Sequence, residues 1–285
     1  MIKGCAGNNM LLLSFGKTYF SCVGVIWLFV GMYNELTPLN KIGCSFWFLI
    51  SIALIFAVFW FLVDGYFIDG FLKRKIVLKS NAFDTQIVIK FGDLFKQDGW
   101  KAIPVNEFFD SIVDDNHVSS KSLHGILLKN YWSCNTENWD QQINDSLSDR
   151  DLIENVSRNP GKSKRYRIGA TAIARKNGNN FLCVALTKTD IDTLQASANP
   201  IELYQSINGL LIKSREVCSG SSLNIPLIGS GLSRTGIKTN IIVNIILMNI
   251  FEESKKSKIT EEIRIILPKN KKKDFNLNTI QKDWR

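Results

Sequence analysis

Residues 44–63 read CSFWFLISIALIFAVFWFLV, twenty residues in a row without a charge. As a helix this run is about 30 Å long, the thickness of a bilayer's hydrocarbon core. Buried in a soluble domain, it would need apolar cover on every side, and the neighbouring sequence has little to offer. A second run precedes it. Residues 18–36, TYFSCVGVIWLFVGMYNEL, stay apolar for about sixteen residues before Asn34 and Glu35. Lys17 is placed to snorkel, and residues 10–15 can lengthen the span. A cleaved signal peptide does not fit, because no small-x-small site follows and a second span comes within about ten residues. The expectation is a transmembrane helical hairpin over residues 18–68, with spans at 18–36 and 44–63, after an N-terminal segment 1–17.

Charge separates this region from the rest. Only three of the 35 basic residues (Lys3, Lys17, Lys41) and two of the 26 acidic ones (Glu35, Asp64) fall within residues 1–64. The net charge of +9 therefore lies almost wholly beyond the hairpin. A disordered chain, a uniformly soluble one and a many-span transporter are all excluded. Lys73, Arg74, Lys75 and Lys79 follow the second span, and Lys3 and Lys17 precede the first. The positive-inside rule then places both ends in the cytoplasm and the short loop outside. Ser45, Ser51, Ala53 and Ala57 are small enough to let two helices approach closely. Two spans cannot enclose a conduit in one copy, so any membrane lesion requires several.

From about residue 75 the pattern becomes mixed. Strands are expected at 75–78, 85–91 (TQIVIKF), 100–105, 222–228 and 262–267 (EIRIIL). Residues 166–175 and 181–187 read as a hairpin across an Asn/Gly-rich turn. Helices are expected at 119–129, 136–157, 200–218 (opened by Pro200) and 237–251. This order predicts a three-layer α/β domain over residues 75–285. The end of the chain is basic, and Lys271-Lys272-Lys273 reads as a solvated surface rather than a nucleic-acid site. The six cysteines form no close pair and no CxxC, and neither His117 nor His124 has a cysteine nearby. No metal site is expected, and the thiols suit a reducing compartment. No Ser–His–Asp spacing or paired-carboxylate motif stands out, so no catalytic residue is assigned.

One segment points to chemistry. Residues 225–238, IPLIGSGLSRTGIK, run from a buried strand through a glycine-rich turn into an apolar helix. Such a turn lets backbone N–H groups reach a phosphate, and the helix start adds its positive end. It is not a Walker A loop, because Ile237 stands where lysine is needed. It is not a dinucleotide fingerprint, because Arg234 stands where the third glycine is needed. Upstream, residues 89–95 (IKFGDLF) end a strand in Gly92-Asp93-Leu94, and residues 101–106 read KAIPVN.

Taken in order, GDL, AIPVN and IPLIGSG resemble the motifs of the macro domain, over roughly residues 75–268. The resemblance implies an α/β/α macro-like fold with a mixed sheet and a pocket for ADP-ribose or a derivative. It implies Asp93 at the adenine, flanked by Gly92 and Leu94, and Gly229, Ser230, Gly231, Leu232, Ser233 and Arg234 around the diphosphate. Asn106 matches the first asparagine of the family's V-N-A-A-N run. The second asparagine and the glycine-rich first loop are absent, and residues 113–122 (VDDNHVSSKS) stand instead. That departure argues against ADP-ribosyl hydrolysis and makes His117, with Ser119 and Ser120, a candidate contact at the divergent end. Two spans ahead of a divergent macro domain further resemble the membrane effectors of type II Thoeris antiphage defence. This narrower resemblance implies a partner TIR-domain enzyme that makes a histidine conjugate of ADP-ribose, then ligand-driven homo-oligomerisation and damage to the bilayer. No separate cofactor and no nucleic-acid partner are implied. The alternatives are a membrane-anchored ADP-ribosyl hydrolase and a scaffold or nucleic-acid binder on the membrane.

Overall fold

The structure, a computed structural model, describes residues 8–37, 43, 45–80, 83–133, 135–229, 231 and 235–284. The chain divides into two compact units. One comprises residues 1–76 with 270–284, and the other residues 77–269 with 285.

In the first unit, α1 (Asn8–Leu36) and α2 (Phe46–Val63) pack side by side, and α2 runs on through a π-helical turn, Asp64–Ile68. Both are long and apolar enough to cross a membrane, over Leu11–Leu36 and Phe46–Ile68. The first span thus takes in residues 11–15, as the sequence allowed. Large side chains such as Phe20, Trp47, Ile55 and Phe59 face outward, while Ala53 and Ala57 are buried. Alanines one turn apart remove the side-chain bulk that would hold the helices apart. Phe15 meets Phe61 edge-to-face at 5.5 Å between ring centroids. The hydroxyls of Thr18 and Ser51 donate back to the carbonyls of Ser14 and Trp47, so neither is left unsatisfied in an apolar setting. Lys3, Lys41 and Cys44, used above to read topology, lie outside the described residues, as do Cys5 and Cys134. Cys22, Cys183 and Cys218 are free thiols.

The described residues of the second unit form the following strands. They are β1 (Lys75–Ser80, whose last four residues belong to this unit), β2 (Phe83–Gly92), β3 (Trp100–Asn106), β4 (Leu152–Asn155), β5 (Lys164–Tyr166), β6 (Thr171–Lys176), β7 (Asn179–Thr189), β8 (Ala196–Ser197), β9 (Leu223–Pro226) and β10 (Glu262–Pro268). The helices are α3 (Leu123–Leu127), α4 (Glu137–Ser146), α5 (Pro200–Val217) and α6 (Thr239–Lys256). The main sheet has the order β1-β2-β10-β9-β3-β7-β6, with β8 on the end of β7, and β4 pairs with β5 apart from it. The neighbours from β2 to β7 run parallel, and β6 returns antiparallel to β7 across the Asn177-Gly178 turn. The sheet is therefore mixed, as expected.

Alternation explains the layers. Ile103, Val105, Phe181, Cys183, Ala185 and Ile266 point to one face and pack with Leu127, Trp132, Trp139 and Ile143 of the α3–α4 side. Their neighbours Ala102, Leu182, Val184, Leu186, Ile265 and Leu267 are buried on the other face, where α5 and α6 contribute Leu203, Ile207, Leu210, Ile242 and Ile246. A sheet buried on both sides is the three-layer arrangement anticipated from the sequence.

Two local expectations are corrected. The helix expected from residue 119 starts at Leu123, because Ser122 caps it by accepting from the Gly125 N–H at 2.9 Å; it continues as a π-turn, Leu128–Trp132. The helix expected over 136–157 stops at Ser146. Ser148 then caps a 3-10 turn, Asp149–Asp151, and Leu152 begins β4. Beyond Lys271–Lys273, which are intermediate or exposed, residues 270–284 also carry a helix that the sequence did not indicate. They contain α7 (Leu277–Asp283), and Phe275 and Leu277 are buried.

Candidate functional site

Ligand crevices of parallel α/β sheets lie beyond the carboxyl ends of the strands. Gly92, Asp93, Asn106 and Gly229 lie at or just past such strand ends. Gly92 ends β2 and is the register partner of Pro268 at the end of β10. Asp93 follows, exposed, and caps a 3-10 turn: its Oδ1 accepts from the Phe95 N–H at 3.0 Å, and its carbonyl accepts from Gln97 Nε2 at 2.7 Å. Leu94 turns inward and is buried, which anchors the turn.

Beyond β9, Gly229 has φ +85, a conformation that L side chains resist. A Cβ there would also stand 3.2 Å from Thr235 and 3.3 Å from Leu203. The Thr235 hydroxyl donates to the Gly229 carbonyl at 2.7 Å and closes the loop across its base. Gly231 is exposed, and a Cβ built on it would meet nothing within 4 Å. α6 begins soon after with no side-chain cap and no acidic residue in its first turn. Its first N–H groups therefore keep their positive character. Ser230, Leu232, Ser233 and Arg234 lie outside the described residues.

The end of β3 is arranged differently from the family motif. Asn106 is buried, and its amide is taken up by Asp110: Asn106 Nδ2 donates to Asp110 Oδ2 at 2.9 Å, and the Asp110 N–H donates to Asn106 Oδ1 at 3.1 Å. The fully buried Asp110 carboxylate also receives the Arg158 guanidinium, with Arg158 NH2 3.1 Å from Oδ2, and the Lys162 N–H at 3.1 Å. Arg158 lies 4.0 Å over the Phe108 ring. Every polar atom of the Asp110 carboxylate is thus spoken for inside the protein. The residues that do this come from the β4–β5 connection, 48 positions away. Nothing in the local pattern around Asn106 or Arg158 announces the pair, which is why sequence reasoning passed over it.

His117 is buried and held at both ring nitrogens. Nδ1 lies 2.8 Å from Asp114 Oδ2, and Nε2 lies 2.8 Å from the Pro160 carbonyl. Both partners are acceptors, an arrangement that favours the doubly protonated ring. Burial works against that charge, but the Asp114 and Pro160 bonds outweigh it and raise the pKa above the ordinary histidine value. The imidazole pins residues 113–122 to residues 158–162. Ser119 and Ser120 bond to Asp115 on the same loop, Ser120 through its N–H at 2.6 Å. His124 is the opposite case. It is enclosed beside Trp139, and burial, followed by the charge of Lys162, pushes its pKa down to about 3, so it stays neutral.

A separate cleft of ≈ 600 Å³ opens near the β6 edge of the sheet, lined by Glu107, Asp151, Arg167, Lys188, Asn208 and Glu216 among others. None of the residues singled out from the sequence lines it. Its charges are largely paired internally, Arg167 with Asp151 at 2.6 Å and Lys188 with Glu202 at 3.0 Å.

The family model for "Thoeris protein ThsA, Macro domain" matches residues 87–268, from within β2 to the end of β10. Thoeris protein ThsA of Bacillus amyloliquefaciens (strain Y2) is 30% identical over 223 residues, 74% of this chain and 71% of its own length. Among solved structures, a mutant macrodomain of Oceanobacillus iheyensis is similar over 74% of this chain and 97% of its own, at 11% identity and a TM-score of 0.48. The macrodomain of the same organism with ADP is similar over the same shares, at 12% identity and a TM-score of 0.46. The family model and the Bacillus relative establish that this chain belongs to the Thoeris ThsA macro-domain family.

Proposed function

We propose that this chain is a membrane-embedded Thoeris effector. Its macro domain binds an ADP-ribose derivative, the histidine conjugate made by a partner TIR enzyme, then self-associates, and the hairpin breaches the membrane. The observation that carries the reading is the joining of two membrane-length helices to a macro domain whose strand-end rim holds Asp93 beside β2 and the Gly229–Gly231 turn beside β9. Asp93 suits the adenine, and the exposed backbone at Gly231 suits the diphosphate. Positive flanks on the hairpin support a cytoplasmic macro domain. An ADP-ribosyl hydrolase is disfavoured, because Asn106 is committed to Asp110 and the β3 end is closed by Arg158.

The test uses the full chain in lipid nanodiscs. Calorimetry with ADP-ribose, its histidine conjugate and AMP should show the conjugate binding most tightly. In vesicles with trapped dye, the same conjugate should trigger release. Equal weak affinity for all three compounds would overturn the ligand assignment. Tight binding without release would overturn the effector reading and leave a sensor. Turnover of an ADP-ribosylated protein would restore the hydrolase.

A further inference from the structure

In the first unit, residues 270–284 fold back onto the stretch that leaves α2. Asn276 Nδ2 donates to the Asp69 carbonyl at 2.8 Å, Asn278 Nδ2 donates to the Ile68 carbonyl at 3.2 Å, and Lys73 Nζ donates to Gln281 Oε1 at 3.2 Å. Asn276 also caps α7, with its Oδ1 accepting from the N–H groups of Asn278 and Thr279. Gly70, at φ +69, lets the chain pass so close that a Cβ would lie 2.5 Å from the Asn278 amide. The two carbonyls involved are those that a helix end leaves without partners. The same segment is covalently continuous with β10, whose last residue, Pro268, is in register with Gly92 beside Asp93. Only eight positions separate Pro268 from Asn276.

We propose that residues 270–284 are a strap that restrains the exit of α2 while the rim is empty, and that ligand at Gly92–Asp93 releases it through Pro268. The proposal rests on the effector reading above. The strap is a seven-residue helix held by side-chain hydrogen bonds and by the burial of Phe275, Leu277 and Ile280, so its release is a local opening that exposes those side chains. Ligand acts on it only if the strapped and released states differ in affinity, and the β2–β10 register supplies a place where they can.

Two measurements on the full chain test this. In dye-loaded vesicles of phosphatidylethanolamine and phosphatidylglycerol, Asn278→Ala and Gly70→Ala should leak without ligand, at about ten times the wild-type basal rate, a release of the kind expected when a local opening equilibrium shifts. Affinity for the histidine conjugate of ADP-ribose should rise in both, because the released state they favour is the one the ligand prefers. In wild-type protein, hydrogen exchange of amides in 64–73 and 277–283 should speed up about tenfold with that conjugate bound, while α5 stays protected. If the conjugate triggers wild-type release, but the variants stay sealed without it and exchange in 277–283 is unchanged, the strap is wrong and the effector reading stands. If the conjugate binds and wild-type vesicles stay sealed, the effector reading fails, and faster exchange in 277–283 alone still supports the strap. A chain that does not bind the conjugate overturns both.

Discussion

His117 shows how one side chain can be misread when only its neighbours in sequence are known. On a polar loop it looks available to a ligand; in the fold both nitrogens are used. Its pKa is raised in the folded state, so the stabilisation it provides is complete below its unfolded value of about 6.5 and is lost as pH rises through the folded value. Melting curves of wild type and His117→Gln across pH 5.5 to 9 should therefore differ most at the acid end and converge at the alkaline end. The difference at low pH should be about 1.5–3 kcal/mol, the range for bonds to charged groups. A gap that widens with pH would refute the imidazolium. Asp110 makes the sharper case. Asp110→Ala strands the buried Arg158 guanidinium and should cost about 3–5 kcal/mol in unfolding free energy. Pairing it with Arg158→Met should recover much of that loss, since the uncompensated charge is gone. If the double variant is as unstable as the sum of the two, the network is not the reason.

At the scale of elements, the β9–α6 connection separates fold from function. Gly229 needs its positive φ, whereas Gly231 has open space around it. Gly231→Glu should leave the melting temperature unchanged within about 1 °C, as exposed substitutions usually do, yet weaken binding of the ADP-ribose conjugate at least about tenfold by opposing the diphosphate. Gly229→Ala should instead lower the melting temperature, because a methyl group there is strained. Calorimetry and melting on the same samples distinguish the two; equal affinity in Gly231→Glu would leave the turn a structural feature only. The loop after α4 teaches the complementary lesson. Residues 136–157 are largely polar and acidic, a composition that reads as one surface helix to its end. Ser148, by capping a new turn, and β5, by offering a partner to Leu152–Asn155, decided otherwise.

For the whole molecule, the two units carry different chemistries, and a variant can disable one without touching the other. Ala57 is fully buried in the helical hairpin. Ala57→Asp places a charge near mid-span at a cost of about 2.5–3.5 kcal/mol on insertion scales. It should abolish ligand-triggered dye release while leaving affinity for the conjugate at the wild-type value. Release that survives this substitution would mean that the α1–α2 pair is not the membrane-active element.

Local composition was enough for the two long apolar helices, the alternating strands and the Asn177-Gly178 turn, because each depends on residues a few positions apart and on where they prefer to be. The motif order GDL, AIPVN and IPLIGSG was enough for the fold family, because those stretches sit at strand ends that any such sheet must form. What the chain does with Asn106, His117 and residues 270–284 depended on partners far away in sequence: Arg158 on Asp110, Pro160 on His117, and Asp69 on Asn276, 207 positions distant. Such pairings leave no local periodicity or spacing, since hydrogen-bond geometry is satisfied only after the sheet has brought the segments together. Only the tertiary structure therefore showed that Asn106 and His117 bond within the protein and that residues 270–284 return to the stretch that leaves α2.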